Sequence, residues 1–358
     1  MYKKIEIYPS TVNPADASPF FSNIPTPISR LISWKEKKQA PAFLFSLSNA
    51  YVSPYGVVFK NGKVVKEAVY KYSAKKKWDN LLSFIKKKIT NKVIKIDGDC
   101  ILIHHSWYQN YYHWMIEIMP RLFLMKDQLS DKRLVIHKNI SKFHLETLSK
   151  FNFKDIVFIE DNELIKCQKI SFTSFPNFYT NQTLTIGSQS INLIELNINF
   201  CIMREMKQWI QNNNPLLKNE IYFRNEKIYI SRKKAGHRKI LNEPELDVFF
   251  NETGFKKIFL EDISFDEQIE LLHNASIVVG IHGAGLSNIL FMRPGTHVIN
   301  LISDKHYEFC YLNIASMASV NYSHVNCSSG TLKANPAYND ITVDVKLLKE
   351  ILTSINTQ

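Results

Sequence analysis

Glycine is scarce in this chain, 11 residues among 358, so two of them placed close together call for a structural reason. Cysteine is scarcer: Cys100, Cys167, Cys201, Cys310 and Cys327 stand apart, with no CxxC or other ligand spacing. That excludes a cysteine-ligated metal motif and reads as reduced, mostly buried thiols of a cytosolic protein. No stretch approaches the roughly 20 unbroken apolar residues of a membrane span. The opening MYKKIEIYPS lacks the apolar core of a signal peptide. The Asn-x-Ser/Thr triplets at Asn139, Asn181, Asn251, Asn274 and Asn321 are then expected to be accidental. Neither a GxGxxG dinucleotide fingerprint nor a GxxxxGK[ST] phosphate loop occurs, and there are no internal repeats.

What the chain does have is positive charge, unevenly placed. The net charge is +12, and residues 1–100 carry 18 Lys/Arg against 7 Asp/Glu, leaving the remainder almost neutral. The basic residues cluster at 34–38, 75–78 and 86–92. Such clusters attract the phosphates of nucleic acid or anionic lipid. WDNLLSFIKKK (78–88) puts Trp78, Leu81, Leu82 and Ile85 at helical spacing before a lysine run. It suits a membrane surface, and it suits equally a solvated amphipathic helix packed on its own domain.

At this length two domains are expected. Alternating residues 49–70 with Asn61-Gly62 predict a hairpin. Strands are expected over 95–106, 133–137, 155–160 and 169–175, with helices over 110–128 and 141–150, which favours an α/β domain. A helical stretch near 192–212 ends in QNNNP, the expected linker. Residues 1–210 then form an N-terminal domain, of which 1–95 are the basic part. Residues 216–330 form a second domain, and 331–358 a tail with a helix. The second half alternates as βαβαβ: strand 227–231, helix 243–253 capped by Asn242, strand 256–260, helix 265–273 capped by Ser264, strands 276–281 and 296–301. Ligands of that doubly wound pattern sit beyond the carboxyl ends of the strands.

Three constellations carry chemistry. On the helix within HHSWYQNYYHWMIEIMPRLFLM (104–125), Asn110, His113, Glu117 and Arg121 fall on one face. Their apolar neighbours predict a buried helix with this polar stripe facing a cleft. His113 and Glu117 at i, i+4 are competent for general-base work, although an ordinary solvent-facing pair has the same periodicity. Pro120 removes one backbone donor inside that helix. The second constellation is the basic loop 231–239, with Arg232 and Arg238 as phosphate forks; a plain surface loop reads the same. The third is VVGIHGAGLSN (278–288), where strand, glycine turn and helix would present unpaired amides to an anion.

Together, YYHWMIEIMPRL (111–122), KIYISRKKAGHRKILNEPEL (227–246) and VVGIHGAGLSNILFMRPGTHVINL (278–301) resemble glycosyltransferase family 61, over roughly residues 95–305 and closest to its bacterial branch. The resemblance implies a GT-B arrangement, two Rossmann-like domains facing across a cleft. It implies an inverting, metal-independent transferase that uses a nucleotide sugar, usually a UDP-sugar, with no cofactor. His113, Glu117 and Asn110 take the acceptor-side, catalytic positions. Arg232, Arg238, Asn242, Glu243, His282, Gly283, Ala284, Gly285 and Asn288 take the nucleotide-sugar positions. The chain departs from the family where LISDKHYEF (301–309) lacks a proline.

The expected partners are a nucleotide-sugar donor and a saccharide or lipid-linked acceptor of a surface polysaccharide. Peripheral contact with an anionic membrane through residues 34–92 is also expected, in a cytoplasmic enzyme. His113, steered by Glu117, is the first choice of base and Glu117 itself the second. A nucleotide-sugar epimerase or dehydrogenase would need a dinucleotide fingerprint. A nucleic-acid-binding module rests on charge alone, so no nucleic acid is expected.

Overall fold

The computed structural model describes residues 3–14, 21–23, 37–70, 82, 85–86, 88–90, 92–186, 189–218, 224–306 and 308–357. Most of the basic amphipathic stretch 78–88 lies outside the described residues. The protein is mixed α/β and divides into two compact units: Met1–Val12 with Lys38–Asn177, and Asn13–Lys37 with Phe178–Gln358. No described helix is long and apolar enough to cross a membrane.

The first unit is built on one sheet: β1 (Lys3–Tyr8), β2 (Ala42–Val52), β3 (Val58–Lys60), β4 (Lys63–Val64), β5 (Lys92–Leu102), β6 (Arg133–His137), β7 (Asp155–Ile159) and β8 (Glu163–Thr173). Its order is β7-β6-β5-β8-β2-β3-β4, with β1 on β2. The expected hairpin is β3–β4, turned by Asn61 and Gly62 at φ 50° and 72°. Strands β7, β6, β5 and β8 are mutually parallel, while β2 runs antiparallel to β8. In chain order the parallel set reads third, second, first, fourth, so the winding reverses between β5 and β8. In open α/β sheets ligands bind beyond the strand ends at such a reversal. Leu134, Val135, Ile136 and His137 of β6 are all buried, as a parallel strand covered on both faces requires.

The first unit also holds helices α1 (Tyr111–Phe123) and α2 (Lys142–Leu148). In the second unit, β9 (Phe178–Ile186) and β10 (Gln189–Asn197) pair as a hairpin, and α3 (Phe200–Asn212) follows. The helix expected from 192 therefore begins only at 200. Residues 189–197 gain a strand partner, and Asn199 accepts from the Ile202 amide to cap the helix start. The break between units falls at Asn177/Phe178, ahead of the QNNNP stretch.

The main sheet holds β11 (Glu226–Ile230), β12 (Phe255–Ile258), β13 (Ala275–Ile281), β14 (His297–Ser303), β15 (Asn321–Thr331) and β16 (Asp340–Thr342), in the order β12-β11-β13-β14-β15-β16. All but β16 are parallel. The winding reverses between β11 and β13, so the basic loop and the glycine turn leave adjacent strand ends. Helices α4 (Glu243–Glu252) and α5 (Phe265–Asn274) complete the expected alternation. Ser264 and Glu267 form the capping box of α5. The C-terminal stretch carries the expected helix, Val345–Asn356, and that helix is sealed into the core. Leu348, Ile351, Leu352 and Ile355 are buried in one hydrophobic cluster with residues of β11, β13 and the helix Glu243–Glu252. Each such side chain contributes roughly 1.5–3 kcal/mol by leaving water.

Candidate active site

Helix α1 of the first unit follows the loop that leaves β5. It is α-helical over Tyr111–His113, π-helical over Trp114–Ile118 and α-helical again over Met119–Phe123. Pro120 has no N–H with which to continue the ladder. The Ile116 carbonyl accepts instead from the Asn177 side chain. The wide turn therefore follows from the proline, and Glu117 sits inside it.

Glu117 is fully buried, and three side chains close on its carboxylate. His113 Nδ1 is 2.9 Å from Oε2, and His105 Nε2 is 3.1 Å from the same oxygen. Tyr70 donates its hydroxyl to Oε1 at 2.7 Å. Burial pushes the Glu117 carboxyl upward, but its bonds to His105 and His113 win and hold it at about 2. It stays ionised near neutral pH. Burial lowers His105 against the pull of Glu117. The Tyr70 ring stacks on His105 at 4.7 Å, and Phe175, just past β8, packs on both. A cavity of about 300 Å³ adjoins the cluster, lined among others by Tyr55, Val57, Tyr70, His105 and Ser106.

The single polar stripe expected on this helix is thus divided. Asn110 caps the helix, accepting from the Tyr112 amide at 2.9 Å. Arg121 is wholly buried, donates to the Ile103 and Thr173 carbonyls and lies over the Phe175 ring at 4.1 Å. It braces the ends of β5 and β8. Asn110 is exposed at the helix start, and His113 keeps partial exposure beside the exposed Trp107 ring at 5.3 Å. Sequence reasoning missed Tyr70 and His105 as partners of Glu117. The His104-His105 doublet was a visible signal; nothing periodic links residue 70 to 117.

In the second unit Arg232 and Gly283 are packed together. A Cβ built on Gly283 would collide with the Arg232 guanidinium, so the close approach requires glycine there. Arg238 donates to the His282 carbonyl at 2.9 Å, and Tyr311 donates to the Gly283 carbonyl at 2.6 Å. Arg238 holds φ at 57°, a left-handed conformation costing a bulky residue roughly 1–2 kcal/mol. Strain of that kind gathers at functional sites. The Nε atoms of both arginines are buried and have no acceptor among the described residues.

The expected helix after the turn is a 3₁₀-helix, Ala284–Phe291. Its first internal bond runs from the Leu286 amide to the Gly283 carbonyl, so the amides of Ala284 and Gly285 precede the ladder. Two arginine forks and two amides meet at one strand-end crevice, a set of donors whose chemistry suits an anion.

Three other residues expected here hold the scaffold together. Asn242 makes no cap bond; it exchanges bonds with the backbone of Val343 and donates to Glu245. Glu243 accepts from Tyr229, Ser231 and Lys257 at the root of the basic loop. Asn288 donates to Gln268 in the interior. His282 takes part in a cluster that the sequence did not reveal, with His306 and Glu308. Asp97-Gly98-Asp99, the one Asp-x-Asp spacing of the chain, lies inside β5, and Asp99 is paired with Lys169.

One α/β unit thus carries a buried carboxylate–imidazole cluster, and the other carries two arginines packed against a glycine turn at the reversal of a parallel sheet. The family model described as Glycosyltransferase 61 matches residues 111–299, more than half of the chain, and the chain belongs to that family. It is similar to the EGF domain-specific O-linked N-acetylglucosamine transferase of Gallus gallus, 31% identical over 101 residues, 27% of this chain and 19% of the relative. The transferase of the same name from Drosophila melanogaster is 29% identical over 97 residues, 26% and 18% of the two chains. The chain thus spans about one fifth of the length of the curated relatives it matches.

Proposed function

We propose that the chain is an inverting glycosyltransferase of GT-B type that moves a sugar from a nucleotide diphosphate donor, a UDP-sugar, to a hydroxyl of a saccharide or lipid-linked saccharide. The observation that carries this reading is the pair of buried arginine Nε atoms, without acceptors among the described residues, beside the amides of the glycine turn. A diphosphate supplies the missing acceptors. In the second unit Arg232, Arg238 and the Ala284 and Gly285 amides take up charge as the leaving diphosphate departs, so the step needs no metal.

In the first unit His113 is the base. Its Nδ1 bond to ionised Glu117 keeps the proton on Nδ1 and leaves a lone pair on Nε2. Nε2 takes the acceptor hydroxyl's proton as that oxygen attacks the anomeric carbon. The bond from that carbon to phosphate breaks, and the electron pair leaves with the diphosphate. Glu117, buried and already engaged by three side chains, orients the imidazole and is the poorer base. Asn110 supports the site by fixing the start of α1.

The role in surface polysaccharide synthesis and the cytoplasmic, membrane-peripheral placement rest on the resemblance and on the basic stretch 34–92. Within that stretch the described helical residues Leu82, Ile85 and Ile89 are exposed. Liposome co-sedimentation tests the membrane part, and no binding at low salt removes it.

Thermal shift against UDP, GDP, CMP and NAD, with and without EDTA, tests the donor site. Selective stabilisation by UDP that survives EDTA and vanishes in Arg232→Ala supports the reading. A response to NAD alone replaces it with another nucleotide-dependent chemistry.

A further inference from the structure

We propose that His282, His306 and Glu308 form a binding site for one divalent transition-metal ion of the zinc class. One ligand atom from each side chain lies within 4.8 Å of the other two. Glu308 Oε2 is 3.2 Å from His282 Nε2 and 3.1 Å from His306 Nε2. Ligands about 2.1 Å from a tetrahedral ion are roughly 3.4 Å apart, so the two carboxylate–imidazole separations already suit an ion, and the two imidazoles lie within 4.8 Å of each other.

Two imidazoles with one carboxylate form a donor set suited to zinc, cobalt or manganese rather than to magnesium or calcium, which favour oxygen. Protein ligands number three, which leaves a position for water. His282 is buried, whereas His306 and Glu308 keep partial exposure, and that gives an ion a way in.

His282 Nδ1 is 3.2 Å from the side-chain amide of Asn300, which contacts Tyr322 at 2.8 Å. Tyr322 in turn meets His324 Nδ1 at 3.1 Å, and all three are buried. The His282 ring is packed against Tyr311 at 4.7 Å.

An ion here ties the end of β13 to the loop after β14. It braces the glycine turn without entering the glycosyl-transfer step, and the site does not depend on the proposed reaction.

The experiment is calorimetric titration of the EDTA-treated, dialysed full chain with Zn²⁺, together with the visible spectrum of its Co²⁺ form. One equivalent is expected to bind, with intense low-symmetry cobalt bands, and Glu308→Gln and His306→Ala each weaken it at least tenfold. Far-UV circular dichroism and UDP-induced stabilisation of the two metal-free variants confirm that they fold. No stoichiometric binding, or binding that both folded variants retain, overturns the proposal. UDP stabilisation in EDTA is read separately, so the donor reading and the metal site can fail independently.

Discussion

The Arg232 guanidinium lies so close over Gly283 that a methyl group at that position would occupy its space. The arginine is thereby held against the turn whose amides it assists. Gly283→Ala must displace it and should weaken UDP binding by roughly 10- to 100-fold, the worth of one or two charged hydrogen bonds at ~1.5–3 kcal/mol. Gly236→Ala, in the same basic loop, meets nothing within 4 Å and provides the control. Calorimetric titration with UDP checks both, and equal affinities in the two variants would count against the anion site.

The Glu117 carboxylate orients His113, so Glu117→Gln keeps the shape and removes the charge. We expect kcat to fall about 10²-fold or more with a smaller change in KM. His113→Ala should fall comparably, and the double variant no further than the worse single one, because the pair acts as a unit. Steady-state release of UDP measures all three. Glu117→Gln within twofold of wild type would remove His113 as the oriented base.

Much of this was legible in the sequence. The hairpin at Asn61-Gly62, the strand of residues 133–137 and the capping box of Ser264 rest on local chemistry, and local chemistry is written in order along the chain. The glycine turn and the two arginines could be placed because βαβ alternation sends them to one end of a sheet. Long-range choices were not legible. The partners of Glu117 come from positions 70 and 105, and the strand at 189–197 is decided by its hairpin mate. The helical period put Arg121 in the stripe with His113, whereas the carbonyls of Ile103 and Thr173 hold it in the interior. His306 and Glu308 join His282 only because β13 and β14 are neighbours.

The π-helical turn of α1 depends on the Asn177 side chain satisfying the Ile116 carbonyl that Pro120 leaves without a donor. Asn177→Ala leaves a buried acceptor unpaired, at about 1–3 kcal/mol. Urea unfolding should report that loss. Because Glu117 lies in the same turn, kcat should fall as well, whereas UDP affinity, set by the other unit, should hold. A stability unchanged within 0.5 kcal/mol, on the scale of an ordinary surface change, would mean that this bond does not maintain the turn.

Acid should destabilise the protein well before its carboxylates titrate. Burial lowers His104 and His324 to about 3, and His144 and His282 to about 4. An unfolded histidine titrates near 6.5. Between pH 6.5 and 4 the unfolded chain therefore binds more protons than the folded one. The stability present above pH 6.5 is lost as the pH falls, by about 1.4 kcal/mol per pH unit for each histidine fully engaged. Glu117 adds a later loss of the same sign. Held at about 2 against an ordinary value of 4.5, it stabilises the fold above pH 4.5, and that contribution disappears as the pH falls towards 2. Thermal melts at constant ionic strength should show Tm declining from pH 6.5 to 4, and Glu117→Gln should flatten the curve only below 4.5. A Tm level from pH 6.5 to 5 would mean that the buried imidazoles accept protons without opening the fold.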